Sequence, residues 1–161
     1  MFHLEWSDAL SLDLPLMDDT HREFVDLLAL AQGSPDDRLP AAWQCLIDHT
    51  DAHFGQEDRW MLATRFAASN CHSLQHKVVL QVMREGAAQA AAGDLPAVRA
   101  MASELALWFP QHAQSMDAAL ALHLRRVGYD AVTGVVIRPE GLPAGLLAGC
   151  GSAACSDTAL A

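Results

Sequence analysis

The stretch HFGQEDRWM, residues 53–61, places a histidine and a glutamate four residues apart. Residues at this spacing lie on one face of an α-helix. The same spacing joins His72 and His76 in HSLQH, residues 72–76. Both pairs can therefore point into the interior of a helical bundle. The pattern predicts helices that carry metal-binding groups on their inner faces.

Other segments supply further donors of the same chemical types. The full set of candidate metal ligands is His21, His53, Glu57, His72, His76, His112 and Asp117. Burying so many imidazoles and carboxylates without compensation would be very costly, and a bound metal removes that cost. Imidazoles and carboxylates that converge in a helix bundle, with no thiolate required, suit a pair of iron ions better than a structural zinc.

A count of donors indicates an open position on such a pair. Two roughly octahedral irons need about twelve donor positions. Five imidazoles, two bridging carboxylates and one bridging oxide or hydroxide supply about eleven of these. The remaining position is where a small molecule such as dioxygen would bind.

Apolar residues recur at helical spacing over four segments. The predicted helices run from about Asp18 to Gln32, from Leu39 to Phe66, from an N-cap at Asn70 to about Ala92, and from a cap at Asp94 to about Val127. Glycines and prolines break the pattern between them. Because the connections are short, we predict an all-α, up-down-up-down four-helix bundle.

The two ends of the chain differ from the bundle. Residues 1–17, with Trp6 and Pro15, read as an extended N-terminal arm. Residues 128–161 are rich in Gly and Ala and predict a flexible tail, partly or wholly disordered. Val132 to Ile137 could form a short strand, without an obvious partner. The predicted division is thus a di-iron bundle over 1–127 and a tail over 128–161.

Composition limits the partners and the compartment. The chain has 161 residues and a formal net charge of −10, which argues against nucleic acid and anionic membrane surfaces. No apolar run approaches the ~20 residues that span a bilayer. The N-terminus lacks the pattern of a secretory signal, so we expect a cytoplasmic protein. In that reducing setting Cys45 and Cys71 are expected to be small buried residues rather than disulfide partners, and Cys150 and Cys155 give a weak metal or redox signal.

Four residues near the candidate ligands each have two alternative roles. His112 and Asp117 are about 140° apart on an ideal helix, and Pro110 could supply the distortion that brings both to the metals, or merely curve the helix. His49 lies one turn before His53, where a role beside the site or at the surface is expected. Trp108 and Phe109 could line a dioxygen pocket, or simply belong to the core.

The motifs together resemble a known family. Trp6, DDTH (18–21), HFGQEDRWM (53–61), HSLQH (72–76) and WFPQHAQSMD (108–117) are similar to the hemerythrins, specifically the single-domain bacterial ones, over residues 1–127. The resemblance implies that His72, His76 and His112 ligate one iron. It implies that His21 and His53 ligate the other, and that Glu57 and Asp117 bridge the two.

The resemblance also implies a function. A non-haem di-iron centre with an oxo or hydroxo bridge would bind dioxygen reversibly, for oxygen storage, delivery or sensing, rather than act as an enzyme. The alternative is a di-iron enzyme or redox sensor that acts on peroxide or nitric oxide. The histidine-rich donor set favours the carrier, since ferritin-like di-iron proteins use more carboxylates. A protein partner, either an oxygen-requiring enzyme or a signalling protein, stays unidentified.

Overall fold

The chain folds into helices joined by short connections. In the computed structural model, which describes residues 3–66 and 71–145, α1 spans Pro15–Gly33, α2 Leu39–Ala63, α3 Cys71–Ala91 and α4 Leu95–His112. A π-helical segment, Ala113–Asp117, joins α4 to α5, Ala118–Val127, so that these three pieces make one long rod. Short 3-10 turns occupy Asp8–Leu10 and Pro139–Gly141.

The four rods form a closed ring of neighbours. Helix α1 packs on α2, α2 on α3, α3 on α4, and α4 returns to α1. Helices that follow each other through short connections run antiparallel. The predicted all-α four-helix bundle is therefore confirmed. Among the described helices, none is long and apolar enough to cross a membrane.

The helix starts follow from local chemistry. Helix α1 begins at Pro15, three residues earlier than predicted, because a proline at the first helical position loses no hydrogen bond and already has the helical φ. Asp94 caps α4 as predicted, and its side chain accepts a hydrogen bond from the Ala97 N–H at 3.2 Å. The predicted cap Asn70 lies outside the described residues.

The helix ends agree less closely with prediction. Helix α2 ends at Ala63 rather than Phe66, because Arg65 takes a positive φ of 57° that no helix continues through. Helix α5 ends at Val127 as predicted, since Gly128 adopts the left-handed conformation, with φ 61°.

Two apolar clusters fill the bundle at different heights. The Phe24 cluster contains, among others, Phe24, Leu28, Trp43, Leu46, Met83 and Phe109. The Met17 cluster contains Met17, Trp60, Met61, Phe66, Leu120, Ala121 and Leu124. Along α1, His21 lies between Met17 and Phe24, and along α2, His53 and Glu57 lie between Leu46 and Trp60. The polar residues are therefore enclosed by apolar layers above and below.

The described part of the N-terminal arm and the segment from Gly128 to residue 145 both contact the bundle. In the N-terminal arm, Leu4 and Leu10 are buried, and the Arg22 guanidinium lies 4.8 Å from the centre of the Trp6 ring. After Gly128 the chain turns back on itself through an isolated antiparallel bridge between Tyr129 and Val136, in place of a strand. Residues 146–161 lie outside the described part, and their disorder stays a prediction.

The cysteines correct the sequence-based expectation. Cys45 is a free thiol on the exposed side of α2, because Trp43, Leu46 and Ile47 take the inward positions. Cys71, at the start of α3, is disulfide-bonded rather than a buried thiol. Cys150 and Cys155 lie outside the described residues.

Candidate metal centre

All seven predicted ligands meet at the middle of the bundle, and every helical rod contributes at least one. Each is at most 3% exposed. Helix α1 brings His21, α2 brings His53 and Glu57, α3 brings His72 and His76, and the fourth rod brings His112 and Asp117. The two four-residue spacings work as predicted, since each places two donors on the inner face of one helix.

The donor atoms divide into two groups. In the first group, atoms of Glu57, His72, His76, His112 and Asp117 all lie within 4.8 Å of one another. In the second, the same holds for His21, His53 and Glu57. These are the donor groups found within residues 3–66 and 71–145. Glu57 belongs to both of them, so it lies where one carboxylate can serve two ions.

The Glu57 carboxylate spans the two groups with one oxygen for each. Its Oε1 lies 2.9 Å from His53 Nε2 and 3.5 Å from His21 Nε2. Its Oε2 lies 3.4 Å from the Nε2 atoms of both His72 and His76. The separation of the two oxygens is the arrangement that a bridging ligand requires.

Asp117 repeats this arrangement from the opposite rod. Its Oδ1 lies 2.9 Å from His72 Nε2 and 3.1 Å from His112 Nε2, whereas its Oδ2 lies 3.3 Å from His21 Nε2. Both carboxylates therefore join the histidines of the first group to those of the second. We call these the three-histidine side (His72, His76 and His112) and the two-histidine side (His21 and His53). The site is nearly symmetric in its bridges and asymmetric in its imidazoles.

The arrangement of the donor atoms suits a pair of metal ions better than it suits hydrogen bonds among the side chains themselves. Within the described part of the chain, the Nε2 atoms of His21, His72, His76 and His112, Glu57 Oε2 and both Asp117 oxygens have no hydrogen-bond partner. Buried polar atoms without a partner are rare in proteins. A cation placed among them would satisfy nitrogen and oxygen donors at once, and imidazole with carboxylate suits iron.

Two residues outside the predicted set hold ligand rings from behind. His76 Nδ1 lies 3.0 Å from Asp58 Oδ1, and His112 Nδ1 lies 3.1 Å from Gln75 Oε1. When Nδ1 carries the proton and donates it outward, Nε2 is left unprotonated and aimed at the donor group. Sequence spacing did not identify Asp58 or Gln75, because each contact depends on how two different helices pack.

The electrostatics of the site show how strongly it attracts positive charge. Burial alone would lower the pKa of His21, but its close contacts with the Asp117 and Glu57 carboxylates, and their negative charge, outweigh that effect and raise the pKa to about 10. The same balance raises the pKa of His72 to about 10. Burial favours the neutral form of Glu57 too, yet the His53 charge and several imidazole contacts hold its pKa well below the usual value. Metal ions entering here would displace protons.

The five-residue spacing of His112 and Asp117 is explained by the π-helical segment. The Ala118 N–H donates to Ala113 O, five residues back, so each turn contains one extra residue. Residues five apart then lie close to the same face. The predicted distortion is present, but it follows Pro110, which lies inside α4, rather than being centred on it.

The remaining predicted residues surround the donors at different points. His49 lies outside both donor groups, and its Nε2 is 3.1 Å from Thr20 O, which agrees with the expected role beside the site. Phe109 is fully buried and meets the His21 ring edge-on, with centroids 5.2 Å apart. Trp108 instead stacks on His112 at 4.5 Å, on the three-histidine side.

Comparison with known proteins agrees with this geometry. The family model described as the hemerythrin HHE cation binding domain matches residues 12–122. A bacteriohemerythrin of Ralstonia nicotianae is 35% identical over 128 residues, which cover 80% of this chain and 93% of the relative. Bacteriohemerythrins of Pseudomonas paraeruginosa and Pseudomonas aeruginosa are 25% and 24% identical over 122 residues, each covering 73% of this chain and 79% of the relative. No solved structure matches significantly.

The family match covers most of the bundle and includes all seven buried donors. The alignments cover most of the length of these relatives, so the similarity is not confined to a fragment. On these grounds the chain belongs to the hemerythrin family.

Proposed function

We propose that this protein holds two non-haem iron ions and binds dioxygen reversibly, for oxygen storage, delivery or sensing. The observation that carries the proposal is the pair of carboxylates, Glu57 and Asp117, each of which directs one oxygen to each donor group. Such a pair positions two cations side by side. The name bacteriohemerythrin, given to the relatives, agrees with this reading.

In this proposal the two ions differ in their protein ligands. His72, His76 and His112 would hold one ion, and His21 and His53 would hold the other, with both carboxylates shared. Because the second group has one imidazole fewer, an ion held there would have a position for an external ligand. When bound there, a ferrous pair would supply the two electrons that dioxygen takes up on binding.

The chain's own residues make the two-histidine side dry. Phe109 meets His21 edge-on and stacks on Phe24 at 4.4 Å, and Phe24 in turn lies 6.5 Å from the His53 ring. Phe24 and Phe109 are both fully buried. Apolar walls exclude water and proton donors, and so disfavour the release of peroxide. We therefore assign the dioxygen pocket to Phe109 and Phe24, with Trp108 supporting His112 instead.

Metal and dioxygen stoichiometry test the proposal. Protein produced in iron-replete medium should contain two irons per chain, and after anaerobic reduction it should take up one dioxygen per pair. His53→Ala should lose the dioxygen uptake, whereas His49→Ala, one turn earlier on α2, should keep it. One tightly bound zinc in place of iron would contradict the proposal.

A further inference from the structure

A groove between α2 and α3 opens directly behind one candidate ligand. It has a volume of about 660 Å³, and its lining includes Asp51, Asp58, His76 and Arg84. Asp58 is 35% exposed there, whereas the His76 ring beneath it is almost wholly buried. The groove thus brings the surface within one hydrogen bond of the metal-binding side chains.

Three groups surround the His76 ring. Its Nδ1 lies 3.0 Å from Asp58 Oδ1, and its Nε2 lies 3.4 Å from Glu57 Oε2. Phe54 stacks on the ring face at 4.0 Å, with only 6° between the planes. Together, stacking and hydrogen bond fix both the tilt of the ring and the nitrogen that it directs inward.

Asp58 is charged, unlike the groups that lie behind the other candidate histidine ligands. His112 donates to Gln75, whose amide is neutral. Among the described residues, the Nδ1 atoms of His21, His53 and His72 have no hydrogen-bond partner. A carboxylate behind an imidazole makes the opposite nitrogen a stronger donor to metal. This strengthening is therefore concentrated on the three-histidine side.

We propose that Asp58 is a positioning residue that acts through His76 to stabilise the oxidised state of the ion on the three-histidine side, and so lowers its reduction potential. This inference rests on the proposed di-iron function. The electron transfer concerned is the loss of one electron from ferrous to ferric iron. In function dioxygen accepts that electron, and in the test a redox mediator does.

Asp58→Asn tests the proposal with little change in shape. The amide can still accept the His76 hydrogen bond but lacks the negative charge. At a fixed potential the ferric-to-ferrous ratio of this ion should fall by about tenfold, which corresponds to a rise in potential of about 59 mV for one electron. In Asp58→Glu, which keeps a carboxylate and has room to extend into the groove, the reduction potential should stay close to that of the wild type.

Asp51→Asn is the matched control. Asp51 lines the same groove on the same helix and pairs with Arg84 at 3.0 Å rather than with a histidine. Its substitution removes an equal charge and should leave the potential unchanged. The converse variant, Gln75→Glu, places a carboxylate behind His112 and should lower the potential.

The measurements distinguish the role of Asp58 from the proposed binding of two irons. Each variant is compared by iron content, by mediated redox titration and by melting temperature with and without iron. Two irons in Asp58→Asn with a raised potential support the proposal. Two irons with a wild-type potential, or an equal shift in Asp51→Asn, overturn it while leaving the di-iron function standing. A wild-type protein without iron overturns both.

Discussion

Glu57→Gln should weaken the binding of both metal ions at once, because one Glu57 oxygen faces each donor group. The substitution keeps the side-chain shape but removes the charge and one metal-binding oxygen. Loss of a residue that only supports a ligand already costs about 10–100-fold in metal affinity. We therefore take about 100-fold for each ion as the effect of losing the shared carboxylate itself.

The expected magnitude follows from linkage. With free iron at about 100 times its dissociation constant, each ion stabilises the fold by about 2.7 kcal/mol, and a 100-fold weaker site leaves about 0.4 kcal/mol. Two ions together lose about 5 kcal/mol. At roughly 2–4 °C for each kcal/mol, the rise in melting temperature on adding iron should shrink by about 10–20 °C. Iron content should fall from near two to about one per chain.

The assay compares anaerobic thermal melts of metal-free and ferrous-loaded protein, together with elemental analysis. Taking the difference between loaded and metal-free forms removes any effect of the substitution on the fold itself. Glu104→Gln, the same substitution at an exposed position of α4, is the control and should change neither reading. If Glu57→Gln retained two irons and the full thermal shift, the bridging role would be refuted.

Three further predictions concern neighbouring residues. His53→Ala should lose iron from the two-histidine side, whereas His49→Ala should retain two irons by elemental analysis. Phe109→Ala should cost about 3–5 kcal/mol in denaturant unfolding and should speed oxidation of the reduced protein, because it opens a buried wall. In metal-free protein the raised pKa of His21 and His72 contributes stability that is full below pH 6.5 and is lost as pH rises toward 10. Melting temperature should therefore fall over that range without metal, and much less with iron bound.

The four helices, and the meeting of the seven imidazole and carboxylate side chains inside the bundle, could be predicted because both depend on local pattern. Spacing of four residues specifies one helical face, as at His53 and Glu57. Proline and glycine mark helix limits, although Pro15 proved to begin α1 rather than to precede it. Chemical type then indicated the candidate donors, since imidazoles and carboxylates on an apolar inner face need a partner.

What the sequence did not show depends on the packing between helices. The contact of Asp58 with His76 joins residues 18 apart, and that of Gln75 with His112 joins residues 37 apart. No local pattern specifies either distance. The π-helical segment is an intermediate case: the five-residue spacing of His112 and Asp117 indicated a distortion, but not its kind.

Reversible binding of dioxygen can be followed directly in the visible spectrum of the protein. Protein reduced anaerobically is mixed with dioxygen, degassed, and cycled while the spectrum is recorded. If binding is reversible, an oxygenated spectrum should appear within the mixing time, disappear on degassing, and return with little loss through repeated cycles. Rapid, stoichiometric conversion to the ferric form with release of hydrogen peroxide would contradict it.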